Sequence, residues 1–144
     1  MTLIKDIKNR FNTLEAFSAF SDCMYMPTWE KFNKCALEFI DSASTSIFGY
    51  LDDNHIVAII VIDKQQNKMS EIRGISIHPA YRNRGIGRQL VQYACNLLAI
   101  KNLYAETDDD AVDFYKHCGF QTKVFYKEDE KGSYRRHECV LRLI

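Results

Sequence analysis

The sequence predicts a single domain of the α/β (α+β) class, and three observations carry that expectation. Two β-branched runs flank a short polar turn near the middle of the chain. Helix-period and strand-period segments then alternate, and two strand-like runs close the sequence. A length of 144 residues is enough for one buried core and too short to suggest two, so residues 1–144 are expected to form one domain.

The elements follow in order. The first forty or so residues read as helical, with Phe11, Leu14 and Phe17 followed by Trp29, Phe32, Ala36, Leu37 and Ile40 near helical spacing. Pro27 and Thr28 supply a start signal for the second of these helices. The aromatic stripe could line a cleft, but core packing is the commoner use of such a stripe, so it receives no catalytic role. Residues 47–51 and 56–62 form a hairpin around Asp52, Asp53 and Asn54. After a polar segment over 63–70, residues 71–78 read as a central strand ending at Pro79.

Beyond Gly85 the period turns helical, with Ile86, Leu90, Ala94, Leu97 and Leu98 on one face. Residues 103–106 suit a strand and 111–117 a helix closed by Gly119. Residues 120–126 suit another strand, 127–133 a polar turn and 134–144 a last strand. The sequence shows no internal repeat, low-complexity tract or linker.

Composition excludes several function classes. Nineteen basic and nineteen acidic residues cancel, so no global field recruits nucleic acid or an anionic membrane. No apolar stretch near the N-terminus is long enough for a signal or a span, which leads to the expectation of a cytoplasmic protein, alone or as a homodimer. Five scattered cysteines without a C-x-x-C pair argue against a disulfide framework. Four dispersed histidines give no metal-ligand spacing, so no metal is expected.

The chemistry concentrates at Arg82-Asn83-Arg84-Gly85-Ile86-Gly87-Arg88, a glycine-containing loop leading into a helix. Glycines admit a close phosphate, the first-turn N–H groups lack intrahelical partners, and three arginines add charge. A dinucleotide fingerprint would need a third glycine where Leu90 stands, and a P-loop would need Gly-Lys-Ser/Thr. Both fail.

The wider string Ile77-His78-Pro79-Ala80-Tyr81-Arg82-Asn83-Arg84-Gly85-Ile86-Gly87 resembles the signature of the GNAT family of N-acetyltransferases: a strand, a proline, then Arg/Gln-x-x-Gly-x-Gly/Ala. A second family element appears downstream as Phe114-Tyr115-Lys116-His117-Cys118-Gly119-Phe120. The resemblance implies a mixed, mostly antiparallel sheet of about six to seven strands with helices on both faces. It also implies acetyl transfer from acetyl-CoA to an amine by direct attack in a ternary complex.

By this resemblance the backbone of Ile75, Ser76 and Ile77 holds the pantetheine arm, while Arg82, Asn83, Arg84, Gly85, Ile86, Gly87 and Arg88 hold the phosphates. Tyr115 is the expected general acid, and a phenol does stay protonated at pH 7; its bland alternative is a packed core tyrosine. Glu71 resembles the position of a general base, with a structural ion pair to Arg73 as the alternative. Asp108 stands where the family usually has Asn, and reads as a helix cap or as a charge selecting a cationic acceptor. A non-catalytic acyl-CoA-binding domain, an interaction module and a thiol enzyme built on Cys118 and His117 are the competing readings. The acceptor itself is not legible.

Overall fold

The computed structural model describes residues 1–65 and 69–143. The polar connection expected over 63–70 falls partly on residues 66–68, and the expected last strand ends at residue 144; these positions lie outside the described residues. The strands are β1 (Thr2–Asp6), β2 (Thr45–Asp52), β3 (His55–Asp63), β4 (Ser70–Ile77), β5 (Asn102–Thr107), β6 (Gln121–Asp129) and β7 (Gly132–Arg142). The helices are α1 (Leu14–Phe20), α2 (Trp29–Asp41), α3 (Ile86–Leu97) and α4 (Val112–His117).

All seven strands form one sheet in the order β1-β2-β3-β4-β5-β7-β6. Every neighbouring pair is antiparallel except β4 with β5. This is the mixed, mostly antiparallel α+β fold that the sequence implied. β4 is central, as its β-branched character predicted.

The first strand corrects the helical reading of the N-terminus. β1 pairs with β2 at the edge of the sheet and buries none of its residues fully, so no apolar alternation marks it in the sequence. The β2–β3 hairpin turns on Asp53 and Asn54, both at positive φ (48° and 70°), as a tight two-residue turn requires. The polar turn expected over 127–133 is shorter than read, because β6 and β7 extend until Asp129 pairs with Gly132.

Two cores sit on opposite faces of the sheet. On one, Phe11, Phe20 and Phe32 are buried, with ring centroids 5.1 Å apart for Phe11 and Phe32 and 5.3 Å for Phe11 and Phe20. Of the stripe, Phe11, Phe32 and Ala36 are core with Phe17 and Ile40 packed against it, whereas Trp29 and Leu37 are exposed. Thr28 caps α2 by accepting from the Lys31 N–H at 3.2 Å, while Leu14 on α1 is 71% exposed.

On the other face α3 buries Ile86, Leu90, Val91, Ala94 and Cys95. Leu97, expected on that face, points outward. Among the described residues no helix is long and apolar enough to cross a membrane.

Candidate active site

The site arises from a defect in the sheet. β4 and β5 pair only at Ser70 with Leu103 and Glu71 with Tyr104, and then part. Where they part, β4 carries a bulge: Ile62 pairs with Ile72 and Val61 with Gly74, leaving Arg73 as the extra residue. The bulge shifts the alternation by one, so Ile72, Ile75 and Ile77 all pack against the α3 core.

Beyond the bulge one edge of β4 has no partner strand among the described residues. His78 donates its N–H to the Val57 carbonyl at 2.8 Å, so alternation along the ladder sends the backbone groups of Ser76 to β3 and those of Ile75 and Ile77 into the gap. The Ile77 carbonyl confirms this direction, because it accepts from Arg82 Nε at 3.1 Å. Of the three backbones expected to hold a pantetheine arm, Ser76 is thus spent within the sheet.

The gap widens into a cleft of about 1430 Å³, more than one drug-sized ligand fills. At one end lies the N-terminus of α3. Gly85, at φ 76°, precedes it without any side-chain cap, and the first backbone bond of the helix runs from Gln89 N–H to the Gly85 carbonyl at 3.0 Å. The N–H groups of Ile86, Gly87 and Arg88 therefore precede the helix's own ladder and face an anion-binding position.

Gly87 serves packing rather than ligand approach: a Cβ there would lie 2.5 Å from Phe114 Cε1 and 3.1 Å from Ile77 Cδ1. The loop before α3 is anchored where Tyr81 donates its hydroxyl to Asp52 at 2.6 Å. Arg84 turns onto the Tyr81 ring, with its Cζ 5.1 Å from the centroid, and does not line the cleft. Arg82, Asn83, Gly85, Ile86, Gly87 and Arg88 do line it. Arg82 spans the mouth, donating also to Asp22 at 2.9 Å.

The opposite wall comes from β5 and α4. Asp108 accepts from the N–H groups of Asp110 and Ala111 at 3.1 and 2.9 Å and so caps the turn into α4. Tyr115 is 6% exposed, stacked edge-on between Phe114 and Phe120 at 5.1 and 5.2 Å, and lines the cleft. Burial, followed by the nearby Cys139, pushes its phenol well above the usual range.

Glu71 does not line the cleft, because it lies on the paired stretch of β4, opposite Asp63 and beside Tyr104. The Glu71–Arg73 ion pair, the alternative to a general base, does not form among the described residues, since Arg73 is displaced by the bulge. Among the carboxylates that line the cleft, with Asp22, Asp108, Asp110 and Asp113, is Glu106 on β5, which the sequence reading missed. Burial opposes its ionisation, but hydrogen bonds from Lys127 (2.9 Å) and Arg136 (3.0 Å) outweigh that and lower its pKa. The alternation of β5 beside a splayed β4 could have pointed to it.

The thiols are quiet. Cys118 is raised above its ordinary pKa by burial, and the neighbouring His117 Nδ1 is engaged with the Asp113 carbonyl at 2.7 Å. Cys23 is exposed as a residue, but its thiol turns inward onto the Phe20 carbonyl at 3.2 Å, and desolvation pushes it up to about 12. No activated thiolate results, which removes the support for a thiol enzyme.

The split central strand pair, the uncapped helix N-terminus and the buried tyrosine on the facing wall together line a cleft suited to an extended ligand that carries phosphates. The chain belongs to the acetyltransferase (GNAT) family, whose family model matches residues 7–120. No curated protein matches it.

Among solved structures, the ribosomal-protein-S18-alanine N-acetyltransferase of Escherichia coli has a TM-score of 0.74 and 16% identity, over 99% of this chain and 94% of its own. A GNAT family acetyltransferase from Elizabethkingia anophelis with acetyl-CoA bound gives 0.70 and 15%, over 99% and 98%. An aminoglycoside 6'-N-acetyltransferase complexed with coenzyme A gives 0.76 and 15%, over 99% and 97%. At these identities the likeness is one of fold.

Proposed function

We propose that the chain is an N-acetyltransferase that moves the acetyl group of acetyl-CoA to a primary amine by direct attack within a ternary complex. The observation that carries this reading is the continuity of the free β4 edge with the uncapped N-terminus of α3. An extended arm bearing amides can lie along the first while its phosphates meet the second.

Ile75 and Ile77 would hold the pantetheine arm. The N–H groups of Ile86, Gly87 and Arg88, with the Arg82 and Arg88 side chains, would hold the pyrophosphate. When bound, acetyl-CoA supplies an activated acetyl thioester. A backbone N–H of the β4 edge can then donate to the thioester oxygen as negative charge develops there.

Tyr115 keeps its proton at every working pH and can donate it to the departing sulfur, whose reference pKa is about 8.5. The acceptor amine is free of its proton in only about one molecule in a few thousand at pH 7. As the C–N bond forms and the C–S bond breaks, the nitrogen gives up its proton to solvent in the cleft, from which Tyr115 regains the one it donated to sulfur. Glu106 acts there chiefly as a counter-charge: it offsets part of the positive charge of Arg136 and Lys127, which lowers the repulsion a cationic amine meets at the wall.

Calorimetric titration with acetyl-CoA, followed by thiol-release assays against a panel of amines, tests the proposal. Micromolar binding and amine-dependent thiol release are expected. Binding without release for any amine would leave a non-catalytic acyl-CoA-binding domain, and absence of binding by the folded protein would overturn the reading.

A further inference from the structure

Among the described residues, one buried side-chain oxygen of a residue that lines the cleft, Ser76 Oγ, has no hydrogen-bond partner. Ser76 is 4% exposed, its Oγ is buried, and among the described residues nothing donates to it or accepts from it. Its backbone is committed to Ile59 on β3. The hydroxyl shares a face of β4 with Gly74, opposite to Ile75 and Ile77. That face meets the α1 side of the molecule, where a Cβ on Gly74 would lie 2.4 Å from the Phe20 ring.

The same side of the cleft is lined by Asp22, Cys23, Met24 and Tyr25, in and just after the 3-10 turn Ser21–Cys23. The neighbouring polar groups are already engaged: Asp22 with Arg82, and the Cys23 thiol with the Phe20 carbonyl. A buried hydroxyl without a partner is costly, and an apolar side chain of similar size would avoid that cost. Within a ligand cleft the unmet bond is a recognition group.

We infer that Ser76 is a specificity-determining residue, hydrogen-bonding a hydroxyl or amide group that lies close to the reacting amine of the acceptor. The acceptor then enters on the Ser21–Cys23 side of β4, across the strand from the α3 core. This inference rests on the N-acetyltransferase reading.

Matched amine pairs test it. With saturating acetyl-CoA, thiol release is measured for ethanolamine against propylamine and for alaninamide against isobutylamine, using the native protein, Ser76→Ala and Ser76→Thr. The native protein is expected to prefer the member bearing the hydroxyl or amide, and Ser76→Ala to lose about threefold to tenfold of that preference through KM, the share of one neutral hydrogen bond. Ser76→Thr restores the preference, acetyl-CoA affinity stays unchanged, and the ligand-free Ser76→Ala protein melts higher, having shed an unpaired group.

An unchanged preference in Ser76→Ala overturns the inference. So does a loss confined to acetyl-CoA affinity, which would give the hydroxyl to the cofactor. Absence of turnover by the native protein with every amine would instead overturn the acetyltransferase reading, before any variant is compared.

Discussion

Gly87 on α3 and Phe114 on α4 are in such close register that a single added methyl on the glycine would sit 2.5 Å from the ring. The contact brings the first turn of α3 against α4, the helix that carries Tyr115. Gly87→Ala is therefore expected to destabilise the fold by about 1–3 kcal/mol through overpacking. Urea denaturation measures this; an unchanged midpoint would mean that the ring swings aside freely. The same substitution is a poor probe of cofactor binding, because it strains the scaffold first.

Tyr115→Phe keeps the ring between Phe114 and Phe120 and removes only the hydroxyl. As the proposed general acid, its loss should lower kcat by about 10²-fold or more while the calorimetric affinity for acetyl-CoA holds. Because burial raises the phenol's pKa, this group should cause no fall in activity up to pH 10. An unaltered kcat in Tyr115→Phe would return Tyr115 to a packing role.

Glu106 and Glu71 separate cleanly. Glu106→Gln leaves Arg136 and Lys127 uncompensated beside the cleft, so kcat/KM for a cationic amine should fall roughly tenfold, about 1.4 kcal/mol, mainly through KM. Glu71→Gln should change it little. Steady-state kinetics of both variants, at low and high salt, decide the matter, since added salt should shrink the Glu106 effect. A larger loss in Glu71→Gln would restore the general base expected from the sequence.

Asp109 accepts from Arg135 (2.9 and 3.0 Å) and meets His137 at 2.6 Å, ties that hold its pKa down to about 2. A depressed carboxylate stabilises the fold above its unfolded pKa of about 3.9 and loses that contribution as pH falls towards 2. The gap in melting temperature between the native protein and Asp109→Asn should therefore be present at pH 6 and shrink below pH 4. A gap that stays constant with pH would show that the ion pair does not set it.

Much of this architecture was legible because it rests on strong local signals. The β2–β3 hairpin announced itself through β-branched runs around Asp53 and Asn54, and α3 through Gly85 and the spacing of Ile86, Leu90 and Ala94. β1 was invisible because an edge strand that buries little carries no alternation.

The site was legible as a loop and a tyrosine, but not as geometry. The bulge at Arg73 depends on pairing between distant strands and decides which later β4 residues face which core, while the pairing of Glu71 with Tyr104 keeps Glu71 out of the cleft. Glu106 gained its meaning only once β4 and β5 were seen to diverge, and Arg84 lost its meaning once Tyr81 captured it.

The two-residue ladder between β4 and β5 has a mechanical consequence. Five of the sheet's six seams are long, and the sixth, at its middle, is a two-residue stitch between two panels, β1 to β4 and β5 to β7, where local opening would cost least. An extended ligand bonding along the open edge would act as a borrowed eighth strand and add to the seam the bonds that the chain's own strands leave unmade.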